Sequence, residues 1–405
     1  DLWNTGFHFG DWLFYRPEDD NDGRAAVTDK YLIAQCFYAN SVQLLVNAAK
    51  VLGNTNDAEE YAKLLFRIKD AFNKEYVTGN GRLVSSTQTA YVLALNFDML
   101  PETMRRQAAQ RLADNVKSYG NHLTTGFLGT PYLCHVLTRF GFTDVSYKLL
   151  LQDTYPSWLY PVKMGATTIW ERWDGQKPDS TFQTPGMNSF NHYAYGAIGD
   201  WMYRKMVGLD TYEDGAGYKH IKIMPHIGGG FTHASASLKT YYGTVSSGWK
   251  IDNDKISMDV TIPANTTATI YIPAATANAV AESGIALSGD IKTENGYIIV
   301  NAGSGEYHFT AAKPANTTAS INAADYIGKY KTEGGMISMI EIVTESNKLI
   351  AKMYNNSGEL EAVKDAKDKF TSADGSTVTF TRDANGKVIK IKMEALGMTF
   401  EGVKQ

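Results

Sequence analysis

The spacing of apolar residues changes once along this 405-residue chain, and that change limits what the chain can fold into. Before about Tyr218, apolar residues recur every three or four positions, which is the period of an amphipathic helix. After Tyr218 they alternate with polar residues, as in a β-strand with one buried face. The pattern predicts a helical region over residues 1–215 and β-structure from there to the C-terminus.

The predicted helices are well delimited. An apolar-periodic run follows Thr28 and stops at Gly53, and Asp57 with Glu60 has the form of a capping pair before a second run. The same period recurs at about 87–96, 101–118, 130–140, 144–152 and 187–207. The loops between these segments are rich in Gly, Thr and aromatic residues rather than charge. This arrangement predicts an (α/α) barrel, a helical toroid with its functional loops gathered at one end.

The β-structure divides into two parts. Regularly spaced short strands over 216–311, bounded by Gly, Asn and Pro, predict an antiparallel β-sandwich. Residues 312–323 are small, polar and interrupted by Pro314, a composition typical of a linker. Alternation returns over 324–405 with turn pairs such as Asn385-Gly386, which predicts a separate small all-β domain.

Charge and composition exclude several classes of function. The net charge is −4 and the basic residues are scattered, so nucleic acid is not an expected partner. No apolar stretch is long enough for a membrane span, and no signal peptide is visible after Asp1. The missing initiator Met indicates a processed or excised piece of a longer protein. Cys36 and Cys134 lie in apolar helical patterns and are predicted to be buried free thiols.

One carboxylate stands in an unusually aromatic setting. Residues 166–175 read ATTIWERWDG, so Glu171 lies between Trp170 and Trp173. A sugar ring can pack on aromatic side chains while a carboxylate acts at its reacting carbon, and the segment therefore predicts a glycosidase subsite. It is also compatible with a core strand in which Glu171 only pairs with Arg172. Alternation in such a strand would place Glu171 opposite Trp170, so one indole could merely support the site.

Five segments, in this order and spacing, are similar to the bacterial α-L-rhamnosidases of glycoside hydrolase family 78. They are FGDWL at 9–13, TQTAYVLAL at 87–95, HLTTGFLGTPYL at 122–133, ATTIWERWDG at 166–175 and FNHYAYGAIGDWMY at 190–203. The resemblance implies a six-hairpin barrel followed by a β-sandwich, in a periplasmic or secreted enzyme without a cofactor. The implied substrate is a rhamnose-containing glycoside or polysaccharide, from which terminal α-L-rhamnose is released with inversion.

The resemblance also implies roles for single residues. Glu171 corresponds to the general base, His192 to a histidine that contacts the rhamnose hydroxyls, and Trp12 to an aromatic residue of the subsite. Asp11 adjoins Trp12 and is a further candidate for substrate binding. His192 lies at the start of a predicted helical run, where a core histidine is about as compatible with the pattern as a ligand contact.

The family carries its general acid upstream of FGDWL, and this chain has no such segment. Asp11 and Glu18 are only weak substitutes as proton donors. We therefore expect a fragment whose barrel is open on one side, to be covered by the missing N-terminal part of the same protein or by self-association. A non-catalytic carbohydrate-binding protein and a helical-toroid glycosidase or lyase for another sugar remain alternatives.

An acidic run over 18–22 raises the hypothesis of a calcium site. Oxygen ligands at short spacing suit a hard cation, but the run lacks the glycine and the closing glutamate of a calcium-binding loop. A solvated acidic loop is the better interpretation, and no metal site is predicted.

Overall fold

The computed structural model describes two compact units, Asp1–Lys313 and Pro314–Gln405. Within them the described residues are 1–15, 26–287, 291–312, 323–332, 338–345, 348–353, 356–363, 366, 368–372, 375–383, 386–395 and 398–405. The predicted fold class is confirmed, because helices occupy the first part of the chain and β-structure the rest.

The first unit opens with helices joined in pairs by short links. They are α1 (Lys30–Val51), α2 (Thr55–Tyr76), α3 (Gln88–Asn96), α4 (Glu102–Ser118), α5 (Thr130–Arg139), α6 (Thr143–Leu151) and α7 (Leu159–Lys163). Helix α1 begins where the Asp29 carboxylate accepts hydrogen bonds from the N–H groups of Tyr31 and Leu32. Helix α3 begins where Thr87 caps Ala90 in the same way. Side-chain caps therefore fix where both helices start.

The helix predicted over 187–207 is wrong in its first part. Residues 188–193 form a loop, and helical structure begins only at Ala194. It continues through α8 (Ile198–Trp201) and a π-helical turn, Met202–Val207. The loop persists because the backbone N–H of Glu171 donates to the carbonyl of Ser189, which holds the chain away from a helical path.

The helical core is continuous, and α3 lies at its centre with nearly every side chain buried. Cys36 and Cys134 are free and buried, as predicted. Burial raises the pKa of the Cys134 thiol to about 12, so this thiol stays protonated at neutral pH.

The rest of the first unit consists of two β-sheets that share one core, which confirms the predicted sandwich. One sheet has the order β1-β2-β6-β10-β9 and the other β3-β4-β5-β11-β7-β8. The strands are β1 (Leu209–Thr211), β2 (His220–Ile223), β3 (His233–Thr240), β4 (Gly243–Asp252), β5 (Lys255–Ile262), β6 (Thr267–Pro273), β7 (Val280–Glu282), β8 (Ile285–Ala286), β9 (Lys292–Glu294), β10 (Tyr297–Ala302) and β11 (Gly305–Ala312). The pair β2–β6 is parallel and departs from the expected antiparallel pattern.

The helical part is fixed to the sandwich by hydrogen bonds at the end of its last helix. The Trp249 indole donates to the carbonyl of Met206 at 2.9 Å, and the Ser247 hydroxyl to the carbonyl of Val207 at 3.1 Å. Nearby, the Tyr147 hydroxyl donates to the carbonyl of His226 at 2.7 Å. Burial lowers the pKa of the His226 ring to about 4, so this ring is neutral at pH 7.

The second unit is a closed eight-stranded barrel preceded by one short helix, α9 (Ala323–Tyr326). Its strands are β12 (Gly328–Thr332), β13 (Met339–Glu345), β14 (Lys348–Met353), β15 (Asn356–Ala362), β16 (Lys369–Thr371), β17 (Thr377–Arg382), β18 (Val388–Ala395) and β19 (Met398–Lys404). Each strand pairs with the next, and β12 pairs with β19 to close the ring, which places Tyr330 opposite Lys404. Aromatic rings, among them Phe370 and Phe380, fill the interior.

Candidate active site

Four segments meet beside the helices of the first unit, all irregular except for Ala194 and Tyr195, which begin a short helical turn. The segments are residues 9–15, 122–129, 166–175 and 188–195. The Tyr15 N–H donates to the carbonyl of Thr124, and the Phe127 N–H donates to the carbonyl of Trp12. All six residues predicted for the site lie on these segments.

Asp11 is buried beneath the second segment. Its carboxylate accepts hydrogen bonds from the Thr89 hydroxyl and from the N–H groups of Gly126, Leu128 and Gly129. Burial raises the pKa of the carboxyl, and the four hydrogen bonds oppose that shift. Both carboxylate oxygens are thus engaged in holding the loop that leads into α5.

Gly126 allows this loop to approach residues 9–15 closely. A Cβ atom at this position would lie 2.2 Å from the Trp12 carbonyl oxygen and 2.9 Å from the Asp11 carboxylate. Only a residue without a side chain fits here, so the glycine is required for the two segments to meet.

The Trp173 and Tyr195 rings join all four segments. They stack at a centroid distance of 3.8 Å with an interplanar angle of 18°. The Trp173 indole donates to the carbonyl of Thr125 at 3.0 Å, and the Tyr195 hydroxyl to the carbonyl of Leu13 at 2.8 Å. Trp173 is 4% exposed, so its ring supports the site from behind.

Trp170 is buried as well, with 6% exposure, and its ring meets the edge of Phe190 at 5.1 Å. A cavity of about 30 Å³ lies between Trp170 and Trp173, which is room for one water and far too little for a sugar. The exposed aromatic surface is formed instead by other rings, Phe190, Tyr193 and partly exposed Trp12.

Glu171 is half-buried, and one of its oxygens is fixed. Oε2 accepts a hydrogen bond from the Ser189 N–H at 2.8 Å, while the Glu171 N–H donates to the Ser189 carbonyl at 2.9 Å. Oε1 has no protein donor among the residues that the structure describes. The alternative in which Glu171 pairs with Arg172 is wrong, because Arg172 Nε donates to Asp174 at 2.9 Å.

His192 lies on the segment that is hydrogen-bonded to the segment of Glu171. The backbone N–H of His192 donates to the carbonyl of Ile169 at 2.8 Å, and the imidazole ring stacks on Phe127 with centroids 5.0 Å apart. Nδ1 accepts a hydrogen bond from the Ala194 N–H at 3.3 Å. In the neutral ring the proton is therefore on Nε2, which leaves a donor on the side away from the backbone.

Comparison with known proteins identifies the family of the chain. Residues 1–206 match the model of the bacterial α-L-rhamnosidase six-hairpin glycosidase domain. The chain belongs to the bacterial α-L-rhamnosidases. Residues 208–286 match the model of the C-terminal domain of the same rhamnosidases, which accounts for most of the sandwich.

Individual rhamnosidases are similar over the same part of the chain. An α-L-rhamnosidase of Streptomyces avermitilis is 41% identical over 302 residues, which are 75% of this chain and 28% of that protein. One from Formosa agariphila is 44% identical over 266 residues, 65% of this chain and 28% of that protein. The crystal structure of the Streptomyces avermitilis enzyme complexed with L-rhamnose has a TM-score of 0.71 at 40% identity, covering 76% of this chain and 29% of that one. The chain thus spans less than a third of the length of these relatives.

A polar group on the same segment as Glu171 was not predicted from the sequence. Asp174 accepts hydrogen bonds from Arg172 and Gln183, and Tyr155 packs close to this cluster. Asp174 stands in the ATTIWERWDG segment, so its place in the sequence was the available signal. Its partner Gln183 follows an irregular turn that no periodicity marks.

Residues 18–22, including Glu18, lie outside the described residues. Among the described ones, no group of three or more His, Cys, Asp or Glu side chains is arranged to hold a metal ion. Likewise, none of the helices in the described part of the chain combines the length and apolar character needed to cross a membrane.

Proposed function

We propose that this chain carries the catalytic base of an enzyme that hydrolyses α-L-rhamnosides with inversion. The observation that supports Glu171 most is its asymmetric environment. The Ser189 N–H fixes Oε2, while Oε1 is left to accept a proton from water. An inverting glycosidase needs a carboxylate held in this way, with room for the attacking water beside the anomeric carbon.

Recognition of the sugar falls to residues around this carboxylate. The Nε2–H of His192 is oriented to donate to a rhamnose hydroxyl, because Nδ1 is occupied by Ala194. Trp12 offers a partly exposed indole to the apolar methyl face of the deoxysugar. The similar α-L-rhamnosidase of Streptomyces avermitilis, whose crystal structure is a complex with L-rhamnose, supports the same sugar for this chain.

Three of the residues predicted to bind substrate act as positioning residues in this proposal. Asp11 holds the loop before α5 through three backbone N–H groups. Trp173 supports Tyr195, and Trp170 lies behind Phe190. Their burial leaves little surface for a ligand, so they orient the groups that touch it.

The general acid is assigned outside the described residues, to Glu18 or to protein beyond these 405 residues. Of the described carboxylates on the site segments, Asp11 accepts four hydrogen bonds and Asp174 is engaged by Arg172 and Gln183. Exposed Leu44, Leu45 and Phe66 on α1 and α2 give the same outside protein an apolar surface to cover. The complete enzyme would act in the periplasm or outside the cell on a rhamnose-containing glycoside.

Substitution Glu171→Gln tests the base, in the protein as it is encoded, with any sequence before Asp1. Turnover of p-nitrophenyl α-L-rhamnoside should fall by about 10²–10⁴-fold, while KM changes little. Proton NMR of the wild-type reaction should show β-L-rhamnose as the first product. The exposed Glu213→Gln is the matched control and should keep full activity.

Two results would contradict the proposal. α-L-rhamnose as the first product would mean retention and would make Glu171 a nucleophile. Saturable binding of L-rhamnose by the wild-type encoded protein with no turnover would favour a carbohydrate-binding protein.

A further inference from the structure

The five-stranded sheet of the sandwich carries a polar and aromatic cluster that shares no residue with the candidate active site. Ile221, Ile270 and Ile298 point into the sandwich core, so the residues that alternate with them point outward. Six side chains on or beside this outward face form what we call the outer patch. They are Tyr212, His220, Lys222, Thr269, Tyr271 and Asn301.

Strand register places three of these residues in a row. Lys222 on β2 is opposite Thr269 on β6, which is opposite Asn301 on β10. The Thr269 hydroxyl donates to Asn301 Oδ1 at 3.0 Å, and His220 Nε2 lies 3.2 Å from the same hydroxyl oxygen. Since the Thr269 proton goes to Asn301, His220 is the donor. The amide N–H groups of Asn301 have no acceptor in the described part of the chain.

The Lys222 ammonium is oriented by two aromatic rings. Nζ lies 5.5 Å from the centroid of Tyr212 and 5.5 Å from that of Tyr271, and the two hydroxyl oxygens are 2.9 Å apart. Ring faces attract a cation, and His220 stacks on Tyr212 at 4.4 Å to fix that ring. The ammonium is thus held in place before any ligand arrives.

Lys222 also lacks the counter-ion that its neighbours have. Arg204 and Lys205 both pair with Asp210, whereas no described carboxylate lies within 4.0 Å of Lys222 Nζ. Asp214 lies 3.7 Å from His220, which disfavours an anion on the β1 side. The favourable approach therefore runs from Lys222 along the row toward Asn301.

We propose that the outer patch binds an acidic sugar residue of a polysaccharide, with its carboxylate on Lys222. A single ammonium matches a single negative charge, whereas phosphate sites favour several cations or an arginine fork. The Asn301 amide and the tyrosine hydroxyls suit the hydroxyl groups of a pyranose ring. The patch would hold a polymer on the sandwich independently of the reaction at Glu171.

Calorimetric titration of the chain with tri-galacturonic acid at low salt tests this site. Saturable binding is expected, weakened at least tenfold by Lys222→Ala and by Lys222→Gln, and several-fold by Asn301→Ala. Lys250→Ala is the matched control, because Lys250 is an exposed lysine on the other sheet, and it should leave binding unchanged. Unaltered thermal unfolding of the variants shows that the sandwich is intact.

Neutral maltotriose and sodium acetate separate recognition of an acidic sugar from weaker alternatives. Both should bind at least tenfold more weakly than tri-galacturonic acid. If maltotriose binds as tightly as tri-galacturonic acid, the patch does not recognise the charge. If acetate binds as tightly, the patch does not recognise the sugar. Either result would overturn the proposal. So would absence of saturable binding, or an equal loss in the Lys222 and Lys250 variants.

Discussion

Buried and half-buried polar side chains serve different purposes in the site loops and in the terminal barrel. In the loops they bond to backbone far away along the chain, as Asp11 does to Gly126 and Tyr195 to Leu13. In the barrel they bond mainly to one another. Arg382 donates to Asp368 and Asp325, and both Arg382 and Asp368 bond to the Tyr326 hydroxyl.

This difference in bonding partners follows from which backbone N–H and C=O groups each region leaves without a backbone partner. Strands in a closed barrel satisfy one another's N–H and C=O groups, so polar side chains there need only satisfy themselves. Irregular loops leave such groups free, and buried side chains must supply the partners. Loss of one side chain should therefore disturb several loops in the site but only its own cluster in the barrel.

The largest expected effect is that of Asp11→Ala. Three backbone N–H groups would lose their acceptor, so the first unit should lose about 4 kcal/mol of unfolding free energy. All seven tryptophans lie in this unit, so urea unfolding followed by indole fluorescence measures the loss. Asp153→Ala removes only an exposed ion pair with Lys163 and should have little effect on unfolding. Equal losses in the two variants would break the comparison.

The barrel counterpart is Arg382→Leu. It leaves Asp368 and Asp325 without their shared cation, at a cost of about 2–3 kcal/mol after allowance for partial exposure. Hydrogen exchange of amides over 328–404 should accelerate, while the indole-monitored transition stays in place. Lys392→Leu removes only an exposed pair and should have little effect. A shift of the indole transition in Arg382→Leu would contradict a self-contained cluster.

The pH dependence of the first unit should show the contribution of His226. Its folded pKa, about 4, lies below the ordinary 6.5, so its contribution is full above pH 6.5 and is lost as the pH falls toward 4. Between pH 7.5 and 4.5 the wild type should lose on the order of 2 kcal/mol more than His226→Gln. Urea midpoints of both proteins at the two pH values measure the difference. The pKa of His308 is raised by Asp259, so the contribution of His308 to stability should change with pH in the opposite direction. If the unfolding free energies of wild type and His226→Gln fall equally between the two pH values, the assignment to His226 is refuted.

The smallest expected effect is the loss of one tyrosine hydroxyl, either in the site loops or in the barrel. Tyr195→Phe removes a hydrogen bond to Leu13, and Tyr330→Phe one to Tyr326, so each should cost about 1 kcal/mol. Only Tyr195→Phe should also lower kcat on p-nitrophenyl α-L-rhamnoside in the encoded protein, because its bond joins two loops of the site. A similar fall in kcat for Tyr330→Phe would end the distinction.

The sequence predicted regular elements better than the loops. Periodicity located α1 to α6, since each buries one stripe of apolar residues at helical spacing. It extended a helix back to Met187, because the apolar pattern does not reveal that Ser189 pairs with Glu171. The three-residue strand β1 is too short to show alternation.

The sequence suggested candidate site residues but not the residues that they contact. The aromatic setting of Glu171 is visible in the sequence, whereas the burial of Trp170 and Trp173 depends on Phe190 and Tyr195 from a later loop. The partners of Asp11 at 126–129 lie more than a hundred positions away. No local pattern identifies such contacts, which explains why Asp11 looked like a proton donor.

The closing strand pair of the terminal barrel has a consequence for the order of folding. Neighbouring strands there can pair by zipping outward from short turns, at little cost in loop entropy. Pairing of β12 with β19 instead joins the two ends of the domain, Tyr330 and Lys404. This pairing bears the entropy of closing the longest loop, and it can form only when the residues of β19 have left the ribosome. Strand β19 therefore closes the barrel. Until it pairs, β12 and β18 have unpaired edges to which a strand of another chain can add.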